Sequence, residues 1–138
     1  MTLIAFTDGA SRGNPGHAGM GIVLYEDKEL KEQIAEYLGR MTNNEAEYHA
    51  VIRALERAKS LGESSLVICS DSEFLVKQLR GDYKVKSEKI KPLYEQVRKL
   101  LESLSLSLQW VPREENKEAD RMANQAIDDE MQNSSKGS

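Results

Sequence analysis

Four acidic residues occupy positions where an α/β protein usually keeps turn, cap or apolar side chains. Asp8 and Asp71 each end a short apolar run that is typical of a buried strand, while Glu47 and Asp120 lie near the starts of two expected helices. Taken singly, each acid has an ordinary structural explanation as a turn, cap or first-turn residue. Carboxyl ends of neighbouring strands are also where sites form in α/β sheets. Four such acids, with few basic residues placed to neutralise them, favour a divalent-metal site built from oxygen ligands.

Helical periodicity separates two acids that lie close together in the sequence. Glu47 shares a helical face with Val51 and Leu55, so we expect it to point toward the sheet. Glu45 lies two residues before Glu47, which is roughly 200° away around a helix of 3.6 residues per turn. We therefore expect Glu45 on the outer side. The same reasoning places Asp120 on the apolar stripe of the last helix. An acid on a core-facing stripe is costly unless it is paired or binds a cation.

Composition restricts the class of protein. The 138 residues are 39% hydrophobic and 30% charged, which is typical of a soluble globular domain. The single cysteine, Cys69, excludes an internal disulfide framework and a cysteine-based zinc site. The N-terminal sequence lacks a signal-peptide pattern, and no apolar run has the length of a membrane span. We therefore expect a cytoplasmic protein without membrane contact.

Charge is unevenly distributed along the chain. The formal net charge of −4 argues against binding of nucleic acid by bulk electrostatics. Residues 77–99, called the basic segment below, nevertheless carry eight basic and three acidic residues; this segment is net +5, which leaves −9 for the remainder. Two interpretations stay open: a solvated helical face, or a phosphate-binding flank beside an acidic region.

The apolar pattern predicts an α/β fold with the element order βββαβααβα, a five-stranded mixed sheet with helices packed on it. We expect strands near residues 3–7, 19–25, 30–38, 66–70 and 105–111, and helices over 43–61, 73–79, 87–103 and 116–130. The apolar spacing of residues 30–38 also fits a helix, but the segment is short and follows a hairpin signal, which favours an edge strand. The glycine-rich residues 9–21 are interpreted as an irregular loop. Residues 1–130 form one expected domain, and residues 131–138 a polar, disordered tail.

Four motifs, in this order along the chain, together resemble type 1 ribonuclease H. They are Phe6-Thr7-Asp8-Gly9-Ala10, Thr42-Asn43-Asn44-Glu45-Ala46-Glu47, Ser70-Asp71-Ser72 and Asn116-Lys117-Glu118-Ala119-Asp120-Arg121-Met122-Ala123. The resemblance runs from Thr2 to about Ile127 and implies the RNase H-like fold, with helices on both faces of the sheet. Only residues 81–86 join the two middle helices, where many members insert a basic helix. The resemblance is therefore to a compact form without the basic protrusion.

That resemblance implies a function for the four acids. Asp8, Glu47, Asp71 and Asp120 correspond to the family's catalytic carboxylates, which hold two Mg²⁺ ions, with Mn²⁺ as a substitute. Such a site hydrolyses the RNA strand of RNA–DNA hybrids by in-line displacement and leaves 5′-phosphate and 3′-hydroxyl ends. The implied partner is the hybrid duplex, and the expected state is a monomer.

Further positions match the family's substrate contacts. Asn14, Asn43 and Asn44 resemble residues that touch the 2′-hydroxyls and backbone of the RNA strand, and Thr42 resembles a contact to a DNA phosphate. Arg113 stands in the loop where many members carry a histidine, so we expect it to assist turnover. An arginine, however, cannot shuttle a proton.

Two other functions remain open at the level of sequence. One is a related nuclease of the same superfamily that also acts on double-stranded RNA. The other is a non-catalytic module that binds hybrids. The presence of all four carboxylates argues against the second, since binding alone does not need them.

Overall fold

The structure is a computed structural model that describes residues 3–136. The strands are β1 (Leu3–Gly13), β2 (Gly16–Glu26), β3 (Glu29–Met41), β4 (Ser65–Ser70) and β5 (Ser105–Trp110). The helices are α1 (Asn43–Ser60), α2 (Glu73–Arg80), α3 (Lys91–Leu100) and α4 (Lys117–Lys136), with a 3₁₀ turn at Arg113–Glu115. The predicted order of strands and α-helices is therefore confirmed.

The five strands form one mixed sheet in the order β3-β2-β1-β4-β5. Strand β2 is antiparallel to β1 and β3, whereas β1–β4 and β4–β5 are parallel. In the parallel pair at the centre, Thr7 is opposite Ser70. The next residues along the two strands are Asp8 and Asp71, so this register brings the two acids to the same place in the sheet.

Apolar residues on the two sides of the sheet build separate cores. One face packs against α1 through side chains such as Ala5, Ile22 and Leu55. The other packs against α4, where Val23 contacts Ala119 and its neighbours. Alternation along each strand sends neighbouring residues to opposite faces, which explains how the same strands supply both cores. Helices on both faces of the sheet are thus confirmed.

Strand β3 is an edge strand, as predicted. It follows a tight turn in which Asp27 and Lys28 have positive φ angles of 50° and 74°. Two successive residues of this kind are typical of the turns that match the twist of a β-hairpin. From this turn β3 pairs with β2, with register shifts at Leu24/Tyr25 and Ala18/Gly19, and its other side is an edge of the sheet.

The predicted loop over residues 9–21 is wrong, because β1 and β2 extend through it and leave only a two-residue turn. Three of its five glycines, Gly9, Gly19 and Gly21, serve close helix–sheet packing instead. A Cβ on Gly9 would lie 2.3 Å from the backbone carbon of Ala46, and one on Gly21 would lie 2.0 Å from the carbonyl oxygen of Ala119. Glycine inside a strand marks such an approach of another backbone.

Two helices differ from their predicted bounds. Helix α3 is confined to Lys91–Leu100 within the predicted 87–103, with Pro92 in its first turn. Proline favours that position because it lacks the N–H that the first turn leaves unbonded. Helix α4 reaches Lys136, past the predicted boundary at residue 130. No glycine or proline occurs over residues 131–136, so the expected disordered tail is helical there; residues 137–138 lie outside the described residues.

Across residues 3–136, none of the helices has the length and apolar character that crossing a membrane requires.

Candidate active site

Three carboxylates converge at the carboxyl end of the central parallel pair. One oxygen each from Asp8 in β1, Glu47 in α1 and Asp71 after β4 lie within 4.8 Å of one another. Asp8 and Glu47 are 5% and 4% exposed, and Asp71 is half-buried. We call these three residues the carboxylate cluster. Its members come from three separate elements, so the tertiary fold assembles it.

The capping chemistry of α1 decides which glutamate enters the cluster. The Glu45 carboxylate accepts the Thr42 N–H at 3.0 Å, and the Glu45 N–H donates to the Thr42 hydroxyl at 3.2 Å. This reciprocal capping box commits Glu45 to the start of the helix. Glu47 lies on the opposite side, over Gly9, where the backbones of α1 and β1 touch. The predicted orientations of Glu45 and Glu47 are confirmed.

Asp120 differs from the sequence expectation. It is exposed on the first turn of α4, so its predicted place on the buried stripe is wrong; that stripe is formed by neighbours such as Ala119 and Ala123. Asp120 nevertheless borders the cluster. After burial and neighbouring charges, its carboxylate contributes to the raised pKa of Asp8, and its charge contributes to the raised pKa of Glu47.

Burial and mutual repulsion raise the pKa of both buried acids well above the ordinary range. For Asp8 the largest cause is loss of solvent, followed by the charge of Glu47. Loss of solvent is also the largest cause of the raised pKa of Glu47, followed by the charge of Asp71. A hydrogen bond from the Gly9 N–H partly opposes this rise. The buried Oε2 of Glu47 has no hydrogen-bond partner among the described residues. Repelling carboxylates with an unpartnered buried oxygen fit a hard divalent cation.

Comparison with known proteins agrees with this geometry. The family model described as reverse transcriptase-like matches residues 6–126. A ribonuclease HI of Halobacterium salinarum is 40% identical over 127 residues, which cover 91% of this chain and 64% of that protein. The structure of LC11-RNase H1 in complex with an RNA/DNA hybrid superposes with a TM-score of 0.90 at 37% identity, and covers 94% of this chain and 99% of that one. The chain belongs to the type 1 ribonuclease H family.

Within this family, the chain also resembles part of larger proteins. A bifunctional protein of Mycobacterium tuberculosis is 38% identical over 131 residues, which cover 93% of this chain but 36% of the mycobacterial protein. The chain thus spans about a third of the length of that relative. The family's use of divalent metals agrees with the cluster of Asp8, Glu47 and Asp71.

Asn116 is a site residue of this ribonuclease H domain that sequence reasoning missed. The sequence places it only at the start of the last predicted helix, where it suits a cap, but its side-chain Nδ2 donates to the Thr7 carbonyl at 2.9 Å and to the Asp71 carboxylate at 3.3 Å. Trp110 adds a second restraint, since its Nε1 donates to the Asp71 carbonyl at 3.2 Å. Asn116 is 1% exposed and lies in the fourth family motif, but nothing in its spacing distinguishes this role from capping.

The expected substrate residues gather at the N-terminus of α1. Thr42 caps the helix, and the Asn14 side-chain oxygen accepts the Asn43 N–H at 3.1 Å. That bond ties the β1–β2 turn to the helix that carries Glu47. Asn43 and Asn44 are exposed, with room for a ligand.

Arg113 is the expected site residue that the structure leaves apart. It is exposed in the 3₁₀ turn before Asn116, and its side chain makes no hydrogen bond or ion pair within residues 3–136. The structure therefore places it in the loop leading to α4 without joining it to the carboxylate cluster.

The basic segment borders a cavity of about 700 Å³ whose lining includes Asn44, Lys84 and Lys86. A buried hydrogen-bond chain holds this region: the Tyr48 hydroxyl donates to Gln78, whose Nε2 donates to the Lys84 carbonyl at 3.1 Å. Tyr48 adjoins Glu47 in α1. The cavity and the carboxylate cluster are therefore tied to the same helix.

Proposed function

We propose that this chain is a metal-dependent endoribonuclease that hydrolyses the RNA strand of RNA–DNA hybrids and leaves 5′-phosphate and 3′-hydroxyl ends. The observation that carries the proposal is the convergence of Asp8, Glu47 and Asp71 within 4.8 Å, bordered by Asp120. Membership in the type 1 ribonuclease H family supports it. So does the similar LC11-RNase H1, whose structure contains an RNA/DNA hybrid.

The four carboxylates are suited to hold two Mg²⁺ ions, with Mn²⁺ as a substitute. When bound, such ions supply Lewis-acid stabilisation of the attacking and leaving oxygens at the scissile phosphate. Asp8 would hold the ions together with Glu47, Asp71 and Asp120, since it interacts with all three of these carboxylates. Asn116 and Trp110 restrain Asp71 from opposite ends of the residue, side chain and backbone. This restraint keeps the cluster ready for a cation rather than relaxed by repulsion.

Polar and basic side chains next to the cluster supply the contacts for the duplex. Asn14, Asn43 and Asn44 offer amide donors and acceptors beside Glu47, which is the chemistry that recognises a 2′-hydroxyl. Thr42 and the basic segment are suited to phosphates of the DNA strand. Arg113 is suited to hold a product phosphate by charge, since it cannot act as a proton carrier. All these groups come from one chain, so a monomer is sufficient for activity.

The test is an assay of the purified chain on end-labelled RNA–DNA, RNA–RNA and DNA–DNA duplexes of one sequence, each with Mg²⁺, Mn²⁺ or EDTA. We expect cleavage of the RNA strand of the hybrid with either metal and none in EDTA. Enzymatic end analysis of the fragments checks for 5′-phosphate and 3′-hydroxyl groups. Asp8→Asn is the inactive control.

Three results would contradict the proposal. Undiminished cleavage in EDTA would remove the metal from the mechanism. Equal cleavage of RNA–RNA duplexes would favour the broader superfamily nuclease. Tight hybrid binding without cleavage under either metal would favour a non-catalytic module.

A further inference from the structure

Asp120 is held differently from the other three carboxylates. Asp8 and Glu47 are buried, and Asp71 accepts a hydrogen bond from the buried Asn116. Asp120 is exposed, and a carboxylate on a helix surface samples several rotamers unless something restrains it. The side-chain amide of Asn124 contacts Asp120. Its Nδ2 donates to the Asp120 carboxylate at 3.3 Å and to the Asp120 carbonyl at 3.0 Å.

The orientation of this amide is fixed from its other side. The Arg12 guanidinium donates to the Asn124 side-chain oxygen at 3.3 Å and to the Asn124 carbonyl at 3.3 Å. Arg12 in turn forms an ion pair of 2.6 Å with Asp128 on the next turn of α4. A guanidinium can only donate and an ionised carboxylate can only accept. A flipped Asn124 amide would therefore lose both partners, so its oxygen faces Arg12 and its nitrogen faces Asp120.

The chain of contacts also connects two ligand-bearing elements. Arg12 lies near the end of β1, the strand that carries Asp8, and Asn124 and Asp120 lie on α4. The contact thus fastens the first turns of α4 to the same strand that supplies the buried acid.

We propose that Asn124, oriented by Arg12, is a positioning residue that holds the Asp120 carboxylate toward Asp8 for binding of a divalent cation. This inference rests on the proposed metal-dependent function of the same site. Loss of an outer partner of a metal ligand typically costs 10–100-fold in metal affinity. Because both 3.3 Å contacts are long and partly exposed, the lower end of that range applies here.

The chain provides a closely matched control. Gln125 is the next residue on α4, and its amide donates at 2.9 Å to Asp129, an acid outside the site. Asn124→Ala and Gln125→Ala each remove one exposed amide–carboxylate contact from the same helix. Only the first touches a carboxylate of the site.

The experiment measures Mn²⁺ binding to the full chain without substrate by isothermal calorimetry, together with the metal-free melting temperature. For Asn124→Ala we expect about tenfold weaker Mn²⁺ binding at the ion that Asp120 helps to hold. Its metal-free melting temperature should equal that of Gln125→Ala. In hybrid cleavage, the Mg²⁺ concentration for half-maximal rate should rise about tenfold, and the rate should recover at high Mg²⁺ with KM for the hybrid unchanged. Arg12→Met should weaken Mn²⁺ binding severalfold, and should add little to Asn124→Ala because both act through one amide.

Several outcomes would overturn the inference. Asn124→Ala with wild-type Mn²⁺ affinity would do so, as would equal weakening in Gln125→Ala, or additive effects of Arg12→Met and Asn124→Ala. Measuring Mn²⁺ binding and hybrid cleavage separately distinguishes failure of the positioning role from failure of the proposed nuclease function. Weakened Mn²⁺ binding in a chain that cleaves no hybrid would leave the positioning role standing and remove the nuclease assignment, whereas normal cleavage with unchanged metal dependence in Asn124→Ala would do the reverse.

Discussion

The carboxylate cluster and the basic segment lie on neighbouring parts of the molecule but differ in burial: the cluster depends on buried side chains, and the basic segment on exposed ones. Asp8 and Glu47 are buried at fixed positions of a strand and a helix. The basic side chains are exposed, and some are already engaged with neighbours along the chain, such as Lys91 with Glu88 at 2.9 Å. A cation requires ligands at defined distances, so its site depends on the core. Phosphate attraction acts over several ångströms and tolerates mobile side chains.

The largest expected effect separates two glutamates of one helix. Glu47→Gln should lower hybrid cleavage by more than the roughly 10–100-fold typical for an outer partner of a metal ligand, because it removes a ligand itself. Steady-state kinetics with Mg²⁺ measures this. The fold should remain intact by circular dichroism.

Glu45→Gln is the matched control, since the residue lies two positions away in the capping box of α1. Glutamine can serve the same box, so stability should fall by less than about 1 kcal/mol and turnover should stay within a few-fold. The reverse ranking of the two variants would mean that a buried position does not decide function here.

The next effect is on stability and follows from the raised pKa values of Asp8 and Glu47. Above pH 4 these groups ionise in the unfolded chain but keep protons in the metal-free fold, so the folded state binds more protons. Stability therefore falls as pH rises from about 4 through neutrality. We expect Glu47→Gln to flatten this decline and to raise the melting temperature at pH 8 in EDTA.

Thermal melts at pH 5 and pH 8, with EDTA or Mg²⁺, test this. Mg²⁺ should stabilise the wild-type chain more at pH 8 than at pH 5, because the ion binds the ionised carboxylates. The basic segment has no such buried acids, so Lys86→Ala should leave the slope against pH unchanged. An identical decline in wild type and Glu47→Gln would contradict the assignment of the cost to the cluster.

The same contrast explains what the sequence could predict. Strand ends and helical faces are periodic features, so the sheet, the order of elements and the positions of Asp8, Glu47 and Asp71 follow from pattern and motif. Glycines at 9 and 21 misled the prediction because a loop glycine and a packing glycine look alike until the helix above them is known.

Asn116 and Asp120 show where pattern reasoning ends. The side chain of Asn116 acts across 45 positions of sequence on Asp71, which no local pattern reports. Asp120 lies beside an apolar stripe, and a small rotation of the helix decides whether such a residue is buried or exposed. Long-range polar contacts and helix rotation are set by tertiary packing.

A smaller effect is expected from the basic segment. Within the basic segment, Lys91 is engaged with Glu88, whereas Lys84 and Lys86 line the cavity beside Asn44. Lys84→Ala/Lys86→Ala should raise KM severalfold with kcat nearly unchanged. Each lost phosphate contact should reduce the slope of log K against log salt by about 0.9.

Lys28→Ala/Lys59→Ala removes the same charge from exposed positions outside both the basic segment and that cavity and serves as the control. It should leave KM and the salt slope close to wild type. Equal slopes for the two double variants would show that the basic segment is a solvated face without specific contacts.

The smallest expected effect concerns Arg113, a residue that shares features with both the carboxylate cluster and the basic segment. Arg113 is exposed like the basic segment, yet it lies in the 3₁₀ turn three residues before Asn116, which contacts Asp71. If exposure governs its role, Arg113→Ala should lower kcat only a few-fold, and Arg113→Lys should restore it because charge suffices. The pH–rate profile should keep its shape in both variants, since the arginine that they replace does not titrate in the working range.

Arg113→His should instead add a pH dependence near 6.5, the ordinary pKa of histidine. A loss in Arg113→Ala as large as that in Glu47→Gln would place Arg113 with the fixed ligands, and the division between the two regions would then lie elsewhere.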